Sequence, residues 1–353
     1  MAYSIITGTG SYIPTVKVAN SHFFSHTFYD PKGSPLDTPN PEIIRKFEEI
    51  TKIKERRYLP PHLNTSDIAF MAAEQALEGV DKETLDVIIV SQNLGDIRAD
   101  NDQSDMVPTI AARVKHKLGI KNPYTVAYDV PFGCAGWLHG VILADYYIKS
   151  GDAKRILVIG AETPSRALDP HDRDSMIYAD GAGAALVEAT DREVGILSHV
   201  TRSDTLKEAY LLWLGKSYHP HSKGNRLFIK MRGHDIYKYA LKTVPDVIRR
   251  SLEKAGKSLA DVKKVLMHQA NQKLDEAILK RLFKLYKIEQ IPEHIMPMTI
   301  SWLGNSWVST LPTLYDLLLR EKLTDHRVRS ADIIVLASVG VGMNVNSVVY
   351  RMP

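Results

Sequence analysis

The chain has 353 residues, of which 44% are hydrophobic and 24% are charged, the composition of an ordinary globular protein. This excludes intrinsic disorder, and the length indicates about two domains. No apolar run approaches the roughly 18 residues of a membrane-spanning helix. The N-terminus lacks the basic segment of a secretory signal, so we expect a cytoplasmic protein. The 45 basic and 41 acidic residues leave a net charge of +4, which does not indicate nucleic-acid binding.

Four short apolar runs predict the core of the fold. They are rich in β-branched residues, do not alternate with polar residues, and are separated by helical patterns. Such runs are typical of strands that are covered on both faces, so the predicted class is α/β. The runs are 87–90, 156–159, 265–267 and 333–336.

The order of elements occurs twice along the chain. A helical stretch at 66–77 precedes the first apolar run, and one at 235–255 precedes the third. Each half then continues with a turn that opens a helix, and with a further strand that ends in glycine. We therefore predict two copies of one α/β unit, residues 1–189 and residues 190–353.

Cys134 is the only cysteine, which excludes an intrachain disulfide and a cysteine-cluster metal site. It stands in a Gly-Cys-Ala-Gly sequence at the predicted start of a helix. The positive end of a helix favours a thiolate, which would make this residue a nucleophile. A lone cysteine is equally typical of a small buried apolar residue, and local context does not separate the two interpretations.

Two polar residues of the second half occupy comparable positions. His268 follows the third apolar run, at the carboxyl end of a strand, where α/β sheets build their sites. Asn305 lies in a Gly-Asn turn, at the position that Cys134 holds in the first half. Taken singly, they would be a structural histidine and a turn residue. The repeat predicts that they face Cys134. The amide of Val341, between two glycines after the last run, is either an oxyanion donor or part of a plain strand exit.

These motifs, taken together, resemble β-ketoacyl-ACP synthase III of the thiolase superfamily. The resemblance runs from near residue 5 to the C-terminus, with the motifs in the order of the family. It implies a thiolase-like duplicated fold in five layers, α-β-α-β-α, and a homodimer. The matching segments are 8–14, 53–56, 134–136, 166–170, 180–185, 268–271 and 304–306.

The resemblance also implies a mechanism. Cys134 would take an acyl group from a thioester, and His268 and Asn305 would hold the carbonyl of a malonyl-type extender as it loses carbon dioxide. The amides of Cys134 and Val341 would bind the oxyanion. No tightly bound cofactor is implied, since the acyl and malonyl thioesters of acyl carrier protein or coenzyme A are substrates. The residues implied in substrate binding are Arg166, Gly233, Tyr237 and Asn271.

The chain departs from the family at the site for coenzyme A. Members typically clamp the adenine between a tryptophan and an arginine, where this chain has Lys46 and Ile50. This favours a carrier protein as acyl donor. The carrier is acidic, and a basic helical stretch follows His268, so we predict docking there. Its residues are Lys273, Lys280 and Arg281.

The polar stretch 93–105 is longer than the corresponding loop of housekeeping members, a region that shapes the acyl pocket. The protein is therefore expected in fatty-acid biosynthesis or, as a specialised relative, in secondary metabolism. Such relatives join a β-ketoacyl unit to another acyl chain, giving cyclohexanedione or resorcinol precursors, or transfer acyl groups to oxygen. A cysteine hydrolase and a non-catalytic partner subunit are two competing interpretations. A hydrolase of the papain type would need a second cysteine near the nucleophile, and partner subunits typically lack the nucleophile.

Overall fold

The computed structural model describes residues 2–101 and 103–353. The strands are β1 Tyr3–Tyr12, β2 Val16–Ala19, β3 Glu55–Tyr58, β4 Val87–Ser91, β5 Asp96–Ile97, β6 Ser104–Asp105, β7 Val126–Val130, β8 Arg155–Glu162, β9 Gly181–Thr190, β10 Gly195–Ser203, β11 Leu212–Gly215, β12 Phe228–Met231, β13 Val262–Met267, β14 Ile333–Gly340 and β15 Asn344–Arg351. The helices are α1 Asn40–Thr51, α2 Thr65–Ala76, α3 Ile110–Leu118, α4 Gly136–Ser150, α5 Gly233–Lys254, α6 Gln272–Leu285, α7 Ile300–Leu303 and α8 Thr310–Leu319.

Two mixed sheets form the centre of the molecule. The first has the order β1-β9-β8-β4-β7, and the second has the order β10-β15-β14-β13. In the first, β4 is parallel to β7 and β8, while β9 is antiparallel to β8 and β1. In the second, β13 and β14 are parallel, and β15 is antiparallel to β14 and β10. The chain leaves the first sheet at Thr190 and enters the second at Gly195.

The helices pack on the sheets in layers. α4 and α8 lie between the two sheets, in a core that takes one face of each sheet. α2 and α3 cover the outer face of the first sheet, and α5 and α6 cover the outer face of the second. The order is therefore helix, sheet, helix, sheet, helix. Both faces of each central strand are buried, which explains why the apolar runs do not alternate.

The predicted elements are confirmed. The four apolar runs lie in β4, β8, β13 and β14, and the helical stretches at 66–77 and 235–255 correspond to α2 and α5. The sequence did not reveal β7, an edge strand of the first sheet whose residues are mostly half-buried. The hairpin of β11 and β12 was also missed. In the described part of the chain, no helix is both long and apolar enough to cross a membrane.

Candidate active site

Cys134 lies on a short 3-10 turn, Gly133–Ala135, which leads directly into α4. Gly133 has a φ of 60°, in the left-handed region that favours glycine. The Cys134 side chain is 9% exposed and packs in an apolar group that we call the Cys134 cluster. The buried members of this cluster are Leu94, Ile97, Cys134, Ala167, Tyr178, Ile229 and Trp307.

Polar contacts fix this turn from two sides. The backbone N–H of Gly133 donates to Oδ1 of Asn93 at 2.9 Å. Asn93 in turn donates its backbone N–H and its Nδ2 to Oε2 of Glu162, both at 2.8 Å. From the second sheet, the Ser338 hydroxyl donates to the Cys134 carbonyl at 2.9 Å. Cys134 therefore stands on a backbone held by both halves of the chain.

Burial raises the pKa of the Cys134 thiol to about 12, and the charge of Glu162 adds to the rise. Burial also raises the pKa of Glu162 to about 7, against the hydrogen bonds from Asn93 and Leu94. Burial therefore acts against the thiolate that the helix start would favour, because a buried thiolate loses its hydration.

His268 directly follows β13 and is 6% exposed. Its backbone N–H donates to the Ala337 carbonyl of β14 at 2.9 Å. Burial lowers the pKa of His268 to about 4, and the backbone of Trp307 opposes part of the shift. The imidazole is consequently neutral at physiological pH, with one N–H donor and one acceptor nitrogen. Nδ1 has no hydrogen-bond partner within residues 2–101 and 103–353.

Asn305 is 4% exposed and is held at both backbone groups. Its N–H donates to the Ile177 carbonyl at 3.0 Å, and its carbonyl accepts from the Ala179 N–H at 2.8 Å. Its side-chain Oδ1 accepts from the Trp307 N–H at 2.9 Å. Because the amide oxygen is occupied in this way, the NH2 group is the part of the side chain available to a substrate.

Shared contacts bring these three side chains to one place. Neighbouring residues of β14 contact His268 and the turn of Cys134. Trp307 belongs to the Cys134 cluster, and its backbone contacts both Asn305 and His268. The structure thus joins a thiol, a neutral imidazole and a side-chain amide at the boundary of the two sheets.

The backbone after β14 approaches the nucleophile turn closely. A Cβ on Gly340 would lie 2.4 Å from the Cys134 nitrogen, and a Cβ on Gly133 would lie 2.6 Å from the Val341 nitrogen. Any larger residue at either position would clash with the facing backbone, so both positions require glycine. The Val341 N–H donates to no acceptor in the described ranges, so it remains available to an oxyanion beside Cys134.

A groove of about 670 Å³ leads from the surface toward this site. One wall comes from α1, and the other comes from the starts of α5 and α6. Ile177 and Met231 line the groove and also pack against the Cys134 cluster, so they connect the two. Five wall residues were already notable in the sequence, namely Lys46, Ile50, Gly233, Tyr237 and Asn271.

Comparisons with known proteins agree with this geometry. The model of the family 3-oxoacyl-[acyl-carrier-protein] synthase III matches residues 128–205, and its C-terminal model matches residues 252–352. Beta-ketoacyl-[acyl-carrier-protein] synthase III of Xanthomonas euvesicatoria is 32% identical over 99% of this chain and 98% of its own. The chain belongs to the β-ketoacyl-[acyl-carrier-protein] synthase III family. It is a condensing enzyme of the acyltransferase type.

Further relatives of this synthase family extend the agreement. Beta-ketoacyl-[acyl-carrier-protein] synthase III 1 of Halalkalibacterium halodurans is 31% identical over 98% of this chain and 97% of its own. The crystal structure of 3-oxoacyl-[acyl-carrier-protein] synthase III from Aquifex aeolicus superposes with a TM-score of 0.80 at 28% identity, covering 99% of both chains. The predicted thiolase-like five-layered fold is confirmed.

Arg166 does not line the groove. Its guanidinium donates to the carbonyls of Pro60 at 3.0 Å and Leu63 at 3.3 Å. Arg173, seven residues later, lines the groove. The family motif at 166–170 was visible in the sequence, but the direction of the arginine side chain depends on the loop near residue 60, which has no sequence signal.

A second cavity, of about 410 Å³, reaches the Cys134 cluster from another side. Leu94, Ile97 and Ala167 line it and belong to that cluster. The loop 93–105, which the family resemblance connects with the acyl pocket, contributes Gln103 and Ser104 as well; its residue Asp102 lies outside the described residues. This cavity is therefore a place where an acyl chain on Cys134 could extend.

The sequence did not indicate that Glu162 and Asn93 contribute to the site. A testable prediction follows for Glu162. Replacing Glu162 with glutamine removes a negative charge that raises the thiol pKa. We expect faster labelling of Cys134 by iodoacetamide, since each unit of thiol pKa changes the thiolate fraction about tenfold. The gain should be larger at pH 8 than at pH 6, because the Glu162 carboxyl is itself neutral below its pKa of about 7.

A matched control is available on the neighbouring strand. Glu188 pairs with Arg155 at the opposite end of β8 from Glu162, so Glu188→Gln removes the same charge far from the thiol. Equal labelling rates for Glu162→Gln and the unsubstituted protein across this pH range would contradict the assignment.

Proposed function

We propose that this protein catalyses decarboxylative Claisen condensation of an acyl thioester with a malonyl-type thioester. The observation that carries the proposal is the set of shared contacts that join Cys134, His268 and Asn305 through Trp307 and β14. The thiol sulfur attacks the acyl carbonyl carbon and releases the thiol of the donor. The malonyl thioester then loses carbon dioxide, and the resulting enolate carbon attacks the acyl carbonyl on Cys134. The carbon–sulfur bond breaks, and Cys134 is regenerated as a thiol.

The proposed roles follow from the hydrogen-bonding capacity of each group. His268 is neutral and Asn305 has a free NH2 group, so both would donate to the malonyl thioester oxygen as it becomes an enolate. The amides of Cys134 and Val341 would donate to the oxyanion that forms on the acyl carbonyl. Because both donors are neutral, they would stabilise the enolate by hydrogen bonds without first holding the malonyl carboxylate in an ion pair.

The groove is proposed to hold the pantetheine arm of the substrates. Gly233, Tyr237 and Asn271 line it, and Arg166 would contribute only through the loop that it holds. At the rim, Lys46 pairs with Glu42 at 2.7 Å, and Ile50 is half exposed. Neither supplies an aromatic plane or a guanidinium at the positions where the family clamps adenine, although Phe47 and Arg173 line the same groove. The loss of the family's clamp at these two positions supports a carrier-protein donor.

The experiment that tests the proposed function is intact mass spectrometry. The protein is incubated with a panel of acyl thioesters, then with a malonyl thioester. We expect a mass increment on Cys134 equal to the acyl group, followed by its loss as a β-ketoacyl thioester appears. Amide hydrolysis without condensation would instead indicate a cysteine hydrolase.

The basic surface of α6 is proposed as the docking site for an acidic carrier protein. Lys273, Lys280 and Arg281 are exposed, and none of them forms an ion pair with an acidic side chain of the described residues. The first turn of α6 borders the groove, so a carrier bound here would direct its arm toward Cys134.

We expect faster acylation from acyl carrier protein than from acyl coenzyme A at equal concentration. The advantage should decrease with salt, because the screening length falls from about 10 Å at 0.1 M to about 3 Å at 1 M. It should also decrease in Lys273→Glu, while a simple pantetheine thioester should react nearly as well as the coenzyme A ester. The measurement is the initial rate of acylation by each donor.

The control is Lys263→Glu. Lys263 is exposed at the opposite end of β13 from His268, so the same charge change there should leave the donor preference unaltered. A strong preference for coenzyme A esters over both other donors would contradict the docking proposal and require a nucleotide site elsewhere.

We further propose that the protein works as a homodimer. β7 is an edge strand of the first sheet, and its unpaired backbone groups are a template for a second copy. Tyr124 and Val126, at the start of this edge, are 85% and 56% exposed. Pairing of two β7 strands would cover these side chains and join two first sheets.

The division into units 1–189 and 190–353 remains our proposal, supported by the change of sheet between Thr190 and Gly195.

A specialised role, in which a β-ketoacyl unit is joined to another acyl chain, is the second candidate function. The polar residues that line the second cavity favour it over a plain alkyl pocket; they are Asn93, Gln103, Ser104, Asn225 and Arg226.

A further inference from the structure

Trp307 has an unusual backbone conformation two residues after Asn305. Its φ of 53° lies in the left-handed region, which a bulky residue rarely adopts. Such a conformation is strained and persists only where the surroundings hold it. Here the Trp307 N–H donates to Asn305 Oδ1, and its backbone contacts His268. The turn that orients these residues therefore also places the indole in the Cys134 cluster.

The indole is part of the wall around the nucleophile. Trp307 is 3% exposed, belongs to the Cys134 cluster, and meets Tyr178 edge to face with 5.7 Å between ring centroids. Its Nε1–H is buried and has no acceptor among the described residues. Trp137 gives a direct contrast, since it is equally buried but its Nε1–H donates to the Val158 carbonyl at 3.2 Å.

The hydroxyl group of the neighbouring Tyr178 is also a poorly satisfied hydrogen-bond donor. Among the residues that the structure describes, its hydroxyl has only the Met231 sulfur as an acceptor, at 3.2 Å, and a thioether is a weak acceptor. Two hydrogen-bond donors thus lie in a cluster that is otherwise apolar, close to the residue that carries the acyl group. A buried donor without an acceptor is destabilising, so its presence in this cluster indicates a ligand that supplies the acceptor.

We propose that the Trp307 Nε1–H donates a hydrogen bond to an oxygen atom of the acyl chain on Cys134, so that the enzyme selects acyl groups bearing a keto or hydroxyl oxygen. This inference rests on the proposed function, because it concerns the acyl group that Cys134 accepts. A saturated chain leaves the donor unsatisfied, whereas an oxygenated chain satisfies it at the same volume. The selection therefore comes from hydrogen bonding and not from chain length.

The test compares octanoyl, 3-oxooctanoyl and 3-hydroxyoctanoyl pantetheine thioesters as acyl donors to Cys134. We expect at least one oxygenated chain to acylate the unsubstituted protein about ten- to a hundredfold faster than octanoyl. Trp307→Phe retains an aromatic ring and removes the N–H, so it should bring the rates together by slowing only the oxygenated donors. Trp137→Phe removes a satisfied indole donor and should leave the ratio of rates unchanged.

The outcomes separate this inference from the proposed function. If no thioester acylates Cys134, the condensing function itself fails. If all three donors react at the same rate with the unsubstituted protein, the condensing function stands and the role of Trp307 is wrong. An unchanged ratio in folded Trp307→Phe would also overturn it. The ratio in the unsubstituted protein tests the inference even if that variant does not fold.

Discussion

Cys134→Ala is expected to lose both self-acylation and condensation completely. The thiol is the only one in the chain, and it stands on a turn that both halves of the chain fix. Alanine preserves the small apolar volume in the Cys134 cluster but offers no atom that can form a thioester. Intact mass spectrometry after incubation with an acyl thioester should show no increment, and no β-ketoacyl product should form with a malonyl thioester.

The same variant separates the two half-reactions. Because His268 and Asn305 remain in place, Cys134→Ala should still decarboxylate a malonyl thioester, which confirms that the fold and the second half of the site are intact. Acylation of the variant at full stoichiometry would show that another residue is the nucleophile, and the proposed mechanism would be wrong.

Four strands of the two sheets were predictable because a strand buried on both faces requires an unbroken run of apolar residues. β4, β8, β13 and β14 each appear as an unbroken apolar run for that reason. β7 does not, because its residues keep partial exposure and Tyr128 and Asp129 interrupt the apolar pattern. The third apolar run placed His268 at the carboxyl end of a strand, and the repeat placed Asn305 at a turn equivalent to that of Cys134. In the structure His268 follows β13, and Asn305 precedes the short turn that leads into α8.

Features that depend on contacts across the fold were not predictable. Glu162 ends an apolar strand, and its charge matters only because folding places it near the thiol. Helix-end electrostatics suggested a thiolate at Cys134, but the burial that raises the thiol pKa comes from residues as distant as Trp307. From the sequence, Trp307 would be predicted as an ordinary core aromatic residue, because neither its left-handed φ nor its unsatisfied indole N–H can be predicted from sequence.

His268→Ala and Asn305→Ala should each lower decarboxylation of a malonyl thioester about a hundred- to a thousandfold, the usual loss when one oxyanion-type donor is removed. Both donors serve the enolate, and the reaction has no other neutral side-chain donor assigned to it. Acylation of Cys134 should be reduced less, so the two variants should still gain an acyl mass increment. The measurements are carbon dioxide release and intact mass on the same samples.

His199 provides the matched control for His268. It is also 6% exposed, but its Nε2 lies 3.3 Å from Asp145, away from the nucleophile. His199→Ala should lower thermal stability and leave the rate of carbon dioxide release nearly unchanged.

Undiminished decarboxylation by Asn305→Ala would show that Asn305 does not belong to the site.

The pH dependence of decarboxylation should identify the protonation state of His268. Burial lowers its pKa to about 4, so the neutral form that we assign to catalysis persists down to that pH and is lost below it. The rate measured in Cys134→Ala, where thiol chemistry does not contribute, should therefore be flat between pH 8 and pH 5, with no break near 6.5, the ordinary value for histidine. A break near 6.5 that disappears in His268→Gln would show that the imidazole is solvated and that its donor role requires a different charge state.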